Sequence, residues 1–219
     1  KGGSRAYVKP LTEPFRHRIC LNSPVSSVRR LPTHVEIRAR GHAPEKFDAV
    51  FIAAHSDQAL RMLADPSDAE RSVLGAKRYQ ENQATIHTDD SVLPSNRRAW
   101  AAWNYHVLRE SHGRVAVTYN MNILQSIQAP VQFCVTLNND RAVSPRHIIK
   151  KVVYERPLYT PETVAAQQRQ HEINGVQRTY YCGAYWRNGF HEDGVVSALN
   201  ALQHFEEAEN EQLSLRRAG

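Results

Sequence analysis

The densest run of reactive side chains in this sequence is His191-Glu192-Asp193, set between Gly189-Phe190 and Gly194-Val195. All three residue types bind metals. Consecutive residues in a loop seldom converge on one ion, however, and no H-E-x-x-H pattern puts two histidines on one helix face, so no metal is expected. The remaining chemistry is proton transfer. His191 is the one side chain of the run whose ordinary pKa lies near neutrality, which makes it the candidate catalytic acid or base. A second triplet, His55-Ser56-Asp57, has the residue types of a hydrolase triad. Sequence neighbours cannot form the triad's line of hydrogen bonds, and G-x-S-x-G is absent. Cys20, Cys134 and Cys182 lie far apart with no C-x-x-C pair. An odd, sparse set in apolar surroundings reads as small core residues in a reducing cytoplasm, not as disulfides.

The elements that would position the histidine run are a strand, a loop and a helix. The strand is read over Arg178 to Tyr185, the loop over Trp186 to Asp193, and the helix starts with Asp193 as its N-cap. Val195, Val196, Leu199, Leu202 and Phe205 share one helical face, which is expected to be buried, and the charged tail from Glu206 is expected to fray. A helix start presents unpaired N–H groups and partial positive charge, which suit a phosphate or a flavin carbonyl oxygen. Gly194, without a Cβ, lets a ligand approach the backbone. The same pattern also describes an ordinary strand–loop–helix connection, and these physical features do not separate the two. Trp186, Phe190 and His191 are the candidate wall of a substrate pocket. Trp100 and Trp103 are read as packing residues.

The first third reads as two strands, Pro24 to Val28 and His34 to Ala39, and a third over Phe47 to Ala54 whose continuous apolar character predicts cover on both faces. Ser56 or Asp57 caps the helix that follows, and Asp65-Pro66 starts another that ends near Gly75. The middle alternates polar and apolar residues over Asn82–His87, Ala99–Val107, Arg114–Tyr119, Val131–Leu137 and His147–Tyr154. Turn formers at Pro94-Ser95-Asn96, Ser111-His112-Gly113, Asn138-Asn139-Asp140 and Ser144-Pro145 separate several of these stretches. This predicts a mainly antiparallel sheet. Thr160-Pro161-Glu162 begins a helix to about His171.

The ordered set of short motifs resembles a bacterial flavin-containing, amine-oxidase-like family of the superfamily that holds monoamine oxidases, protoporphyrinogen oxidase and phytoene desaturases. The motifs are Gly2-Gly3-Ser4 with Tyr7-Val8, Ser23-Pro24-Val25, Phe47-Asp48, and Ala53-Ala54-His55-Ser56-Asp57-Gln58-Ala59-Leu60. His87-Thr88-Asp89, Ala99 to Tyr105, Gly183 to Trp186, Gly189 to Gly194 and Ser197-Ala198 complete it. The resemblance implies non-covalently held FAD and hydride transfer from a substrate C–H bond; the substrate would be an amine, an unsaturated lipid or an isoprenoid. It implies that Val25 meets the adenine, and that Ala53 and Ala54 pass beside the dinucleotide. Gly183 and Ala184 would meet the pyrophosphate and ribityl chain, and Phe190, Glu192, Asp193, Gly194 and Val195 the flavin end. The implied fold is α/β and α+β: part of a Rossmann-like FAD domain with an inserted antiparallel substrate domain. Residues 1–60 and 176–212 are assigned to the FAD domain, 61–175 to the substrate domain and 213–219 to a tail. Two features depart from the pattern. Ala184 stands where many relatives carry an acid for a ribityl hydroxyl, and no G-x-G-x-x-G opens a strand–helix unit. The chain is therefore expected to be the C-terminal part of the enzyme, inactive and poor in FAD alone, with a missing N-terminal segment as its partner.

Composition narrows the rivals. At 41% apolar and 23% charged residues the chain is globular, and no apolar run reaches membrane-span length. The net charge of +6 comes from scattered pairs such as Arg29-Arg30 and Lys150-Lys151. No nucleic-acid partner is expected from pairs so dispersed, and nothing specific supports contact with a membrane surface. Two other functions stay open: a scaffold domain that has lost its cofactor start, and an anion-binding basic domain.

Overall fold

The structure is a computed structural model that describes residues 5–109 and 113–218. The Gly2-Gly3-Ser4 motif and the Ser111-His112 part of a predicted turn fall outside the described residues. The chain divides into two compact units, Arg18–Tyr79 with Pro157–Gly219, and Lys1–His17 with Gln80–Arg156. Each is α+β.

In the first unit, β1 (Val25–Arg30), β2 (Val35–Ala39) and β3 (Glu45–Phe47) form an antiparallel sheet. β4 (Val50–Ile52) pairs in parallel with β10 (Thr179–Tyr181), Phe51 lying opposite Tyr180. The run read as one strand over Phe47 to Ala54 is thus divided at Asp48-Ala49. Val50 and Ile52 are buried, but Phe51 is 43% exposed and stacks on Tyr180, so this strand is not covered on both faces. β10 is also shorter than the predicted Arg178–Tyr185: Gly183, at φ +154°, ends the extended run and a 3-10 turn follows over Ala184–Trp186.

Helix α2 (Ser56–Met62) has His55 as its N-cap, with no side-chain capping bond, in place of the expected Ser56 or Asp57. The Ser56 amide and hydroxyl are held instead by the Tyr79 hydroxyl. Helix α3 (Asp68–Gly75) begins later than Asp65-Pro66 predicts. Ser67 and Glu70 form a capping box there, each side chain accepting from the other's backbone N–H. Asp65 is diverted to Arg30, whose Nε donates to its carboxylate at 2.8 Å. The Arg30 guanidinium also grips both Glu70 carboxylate oxygens, at 2.7 and 3.0 Å, and the Tyr181 hydroxyl donates to the same carboxylate. This pin joins β1, α3 and β10 inside the core of Val28, Val35, Ile52, Leu74 and their neighbours. Burial alone would raise the Glu70 carboxyl, but its bonds from Arg30, Tyr181 and the Ser67 amide outweigh that and lower it.

Helix α5 (Pro161–Gln167) starts as predicted, with Thr160 capping and Pro161 at its first position. Helix α6 (His191–Ala218) runs well past Glu206, where fraying is expected. Its fully buried stripe is Asp193, Ser197 and Ala201, at i, i+4 and i+8, while of the apolar face read from the sequence Val196 and Phe205 are half-buried, Phe205 packing on Tyr180. Val195, Leu199 and Leu202 are 54%, 59% and 42% exposed.

In the second unit, α1 (Arg5–Thr12) precedes a five-stranded sheet in the order β6-β7-β8-β5-β9. The strands are β5 (Tyr79–His87), β6 (Trp103–His106), β7 (Ala116–Asn120), β8 (Cys134–Leu137) and β9 (Ile148–Pro157), with the short helix α4 (Met121–Leu124) after β7. The β6–β7, β7–β8 and β5–β8 pairs are antiparallel, as expected. Register puts Asn104, Thr118, Thr136 and Thr85 in one row, and these polar residues face inward. Strand alternation therefore turns Trp103 and Tyr105 outward, 58% and 65% exposed, so Trp103 is not a core residue and packs only edge-on against Tyr119 among the rings of the described residues. Trp100 is half-buried and donates to the Pro94 carbonyl at 2.7 Å. Across the buried row runs a chain of 2.8 Å contacts, His87 Nε2 to Thr136 Oγ1 to Thr118 Oγ1 to His106 Nε2. The Asp89 N–H donates to His87 Nδ1, so a neutral His87 carries its proton on Nε2 and donates to Thr136 Oγ1.

Candidate functional site

Parallel pairing of β4 and β10 brings together two chain ends that lie 129 residues apart when measured from Ile52 to Tyr181. Both strands stop at the same level, and the residues that follow them open onto a cavity of about 380 Å³. Ala53 and Ala54 form one side and Gly183 and Ala184 the other, with His55, Tyr79 and Tyr185 around them. Four of the residues assigned to FAD by resemblance thus line one cavity. Small side chains on both strand ends leave the backbone open to a ligand, a geometry suited to the crevice at the carboxyl ends of parallel strands.

Three details separate ligand-facing residues from structural ones. At Gly183 an added Cβ would stand 2.5 Å from the Tyr185 ring, and its N–H already donates to Ser197 Oγ at 2.8 Å. The Ser197 hydroxyl in turn donates to the Gly194 carbonyl, clamping β10 to α6. Gly189 is likewise required by the chain, because a Cβ there would meet the Tyr159 hydroxyl at 2.8 Å with φ at +88°. Gly194 differs. A Cβ there would sit 3.9 Å from the Ala184 nitrogen and 4.0 Å from its Cβ, ordinary contacts in an ordinary helical conformation. Nothing among the described residues calls for glycine at this position, although glycine in a helix costs about 1 kcal/mol relative to alanine.

The other predicted residues are distributed around this centre. Phe190 is 60% exposed ahead of α6, and its N–H donates to Asp193 Oδ2 at 2.9 Å, so Asp193 closes the first turn from within the helix and is not its N-cap. His191, Glu192 and Val195 are exposed on the first turns of α6. Trp186 is buried, 4% exposed, with the Lys77 ammonium 4.0 Å above its ring, and it lines a different cavity from Ala53 and Gly183. Phe190 and His191 are among the lining residues of neither. Val25 lies on β1, 38% exposed, and does not line the Ala53–Gly183 cavity. Cys182 is buried with its thiol raised by burial, which makes it a weak nucleophile. Among the described residues no group of three or more His, Cys, Asp or Glu is placed to hold a metal ion. No helix among them is long and apolar enough to cross a membrane.

Sequence reasoning missed His55 and Tyr79 as a unit: their rings stack 4.5 Å apart beside the cavity. It also missed Lys77, which is 1% exposed, donates to the Val73 carbonyl and is pushed down to about 8, by burial first and then by Arg169. Tyr79, three residues ahead of the alternating stretch that begins at Asn82, carries no signal of its own. Lys77, two residues past the end of α3, carries none.

No protein-family model matches this chain, and no curated protein matches it in sequence. Solved structures match it in fold. A CLA-producing fatty acid isomerase from P. acnes has a TM-score of 0.60 at 13% identity, over 92% of this chain and 52% of that one. Wild-type putrescine oxidase bound to putrescine gives 0.59 at 12%, over 94% and 53%. Cyclohexylamine oxidase from Brevibacterium oxydans IH-35A gives 0.56 at 15%, over 91% and 51%. The chain thus spans about half the length of these enzymes and shares the fold of that half.

Proposed function

We propose that this chain is part of an FAD-dependent oxidoreductase of the amine-oxidase type, and that the Ala53–Gly183 cavity holds the middle of the dinucleotide. The carrying observation is the convergence of Ala53, Ala54, Gly183 and Ala184 on that cavity, beside a Gly194 that the protein itself does not require. The cavity fits part of such a ligand: its small residues leave room, and the first turn of α6 is adjacent through Gly194 and Ala184. FAD, when bound, accepts hydride from a substrate C–H bond, of an amine, an unsaturated lipid or an isoprenoid. The chain's own residues orient it: Ser197 fixes the Gly183 and Gly194 backbones relative to one another, and the Tyr185 ring fixes the turn after β10. His191, exposed at the helix start, is the proposed proton carrier. The buried Cys182 favours a non-covalent cofactor.

Among the described residues the β4–β10 sheet has two strands, although parallel sheets ordinarily have more strands and cover on both faces. Together with exposed Val195, Leu199 and Leu202, this supports a further segment of the same protein that covers them and supplies the glycine-rich phosphate loop. A non-catalytic scaffold is the second reading, favoured by one observation: the Gly183 N–H is already committed to Ser197. Visible flavin absorbance after gel filtration separates the two. A version extended at its N-terminus should retain flavin, and this chain alone little; an extended protein that stays colourless after flavin loading removes the oxidoreductase reading.

A further inference from the structure

A second cavity, of about 290 Å³, lies between the end of α5 and the middle of α6. Its framework residues are already committed. Gln167 donates to the Tyr185 and Arg187 carbonyls at 2.9 and 2.6 Å, and Gln170 to the Tyr181 carbonyl at 2.9 Å, while Ser197 clamps Gly183 and Gly194. What remains along the wall is Gln168, Arg187, Asn200 and His204, with His171 held through Nδ1 to the Gln168 carbonyl at 3.1 Å and no carboxylate among the lining residues. The Arg187 guanidinium forms no ion pair among the described residues. A second observation points the same way. Trp186 forms part of the wall, and the Lys77 ammonium lies 4.0 Å over its ring, almost fully buried and, among the described residues, hydrogen-bonded only to the Val73 carbonyl. A buried cation without a counter-ion is costly, and the field it creates favours negative charge nearby.

We propose that this cavity binds a small molecule through an oxyanion, a phosphate or a carboxylate, with Arg187 as its principal donor. Guanidinium geometry suits either group, Asn200 and Gln168 add neutral donors, and the volume takes the anion with only a few further atoms. The site lies apart from the Ala53–Gly183 cavity and does not rest on the flavin reading.

The test follows the indole N–H signals of the three tryptophans in a proton–nitrogen correlation spectrum, with Trp186 assigned from Trp186→Phe. Inorganic phosphate and acetate are titrated separately against chloride at constant ionic strength. The Trp186 signal should shift saturably with at least one of them while Trp100 and Trp103 stay still; which anion works identifies the preferred group. Arg187→Gln should raise the half-saturating concentration about tenfold or abolish saturation. Arg38→Gln, an exposed arginine outside this cavity, should leave it unchanged, and His204→Gln gives a second weakening variant that does not depend on Arg187. Absence of saturation with both anions, or equal saturation in wild type, Arg187→Gln and His204→Gln, overturns the proposal.

Discussion

Replacing Gly194 by alanine should make the protein more stable and its flavin binding worse. The added methyl meets Ala184 at 3.9–4.0 Å, so no atom has to move, and the residue needs no positive φ. Alanine restricts the unfolded chain and improves helix propensity, a gain of about 0.5–1 kcal/mol, less if the first turn frays. In a chain of this size that raises the melting midpoint by about 1–4 °C. The same methyl stands where a ligand would approach the backbone at the start of α6, so it should reduce flavin retention in the N-terminally extended protein. Thermal unfolding followed by circular dichroism measures the first effect, and the ratio of visible to protein absorbance after gel filtration the second. A lowered midpoint would refute the steric reasoning. A raised midpoint with unchanged retention would take α6 out of the cofactor site and remove the main support for the proposed function.

Gly183→Ala should behave in the opposite sense, losing about 1–3 kcal/mol by urea titration, because its Cβ would strike the Tyr185 ring; a neutral result would show that Tyr185 is free to turn away. Glu70→Gln leaves the buried Arg30 partly uncompensated and should cost about 3–5 kcal/mol, whereas Arg61→Gln, at an exposed pair with Asp57, should change stability by under about 1 kcal/mol; equal losses would mean that the pin is not buried as described. His87 and His106 are both lowered by burial, and His87 sits among Asp89, His147 and Thr136. A lowered histidine contributes stability that is complete above its unfolded value and is lost as pH falls from about 6.5 toward the folded value. Midpoints measured from pH 7.5 to 5.0 should therefore drop through that window, and His87→Phe should flatten the drop; an unchanged slope in that variant would assign it to other groups.

Much of the framework was legible because its signals are local. Thr160-Pro161 marks the start of α5, Gly75 the end of α3, and strict alternation marks the antiparallel strands of the middle section. The errors arise where a long-range partner overrode a local preference. Asp65 has the residue type of a cap, but Arg30 takes its carboxylate, and the cap passes to Ser67 because Glu70 is placed to complete the box. The apolar stripe of α6 misleads for a related reason. Burial there follows the polar and small residues Asp193, Ser197 and Ala201, since Ser197 satisfies the Gly183 N–H and Ala201 lets the helix approach β10 closely.

The site divides along the same line. Ala53, Ala54, Gly183 and Ala184 are assigned through the family resemblance, and the parallel pairing of β4 with β10 sets all four around one cavity. Trp186 is read as a substrate wall, yet an aromatic beside a glycine loop fits a ligand wall and a packed core equally well; here it is buried beneath Lys77 and lines the cavity beside α5, not the one of Ala53 and Gly183. Lys77 is the clearest limit: a lysine just beyond a helix end reads as solvent-facing in every sequence, and only the fold encloses it. A residue whose burial contradicts its type is set by three-dimensional neighbours alone. Such residues, here Lys77, Arg30 and Glu70, are where substitution will say most about how this unit is held and what its cavities bind.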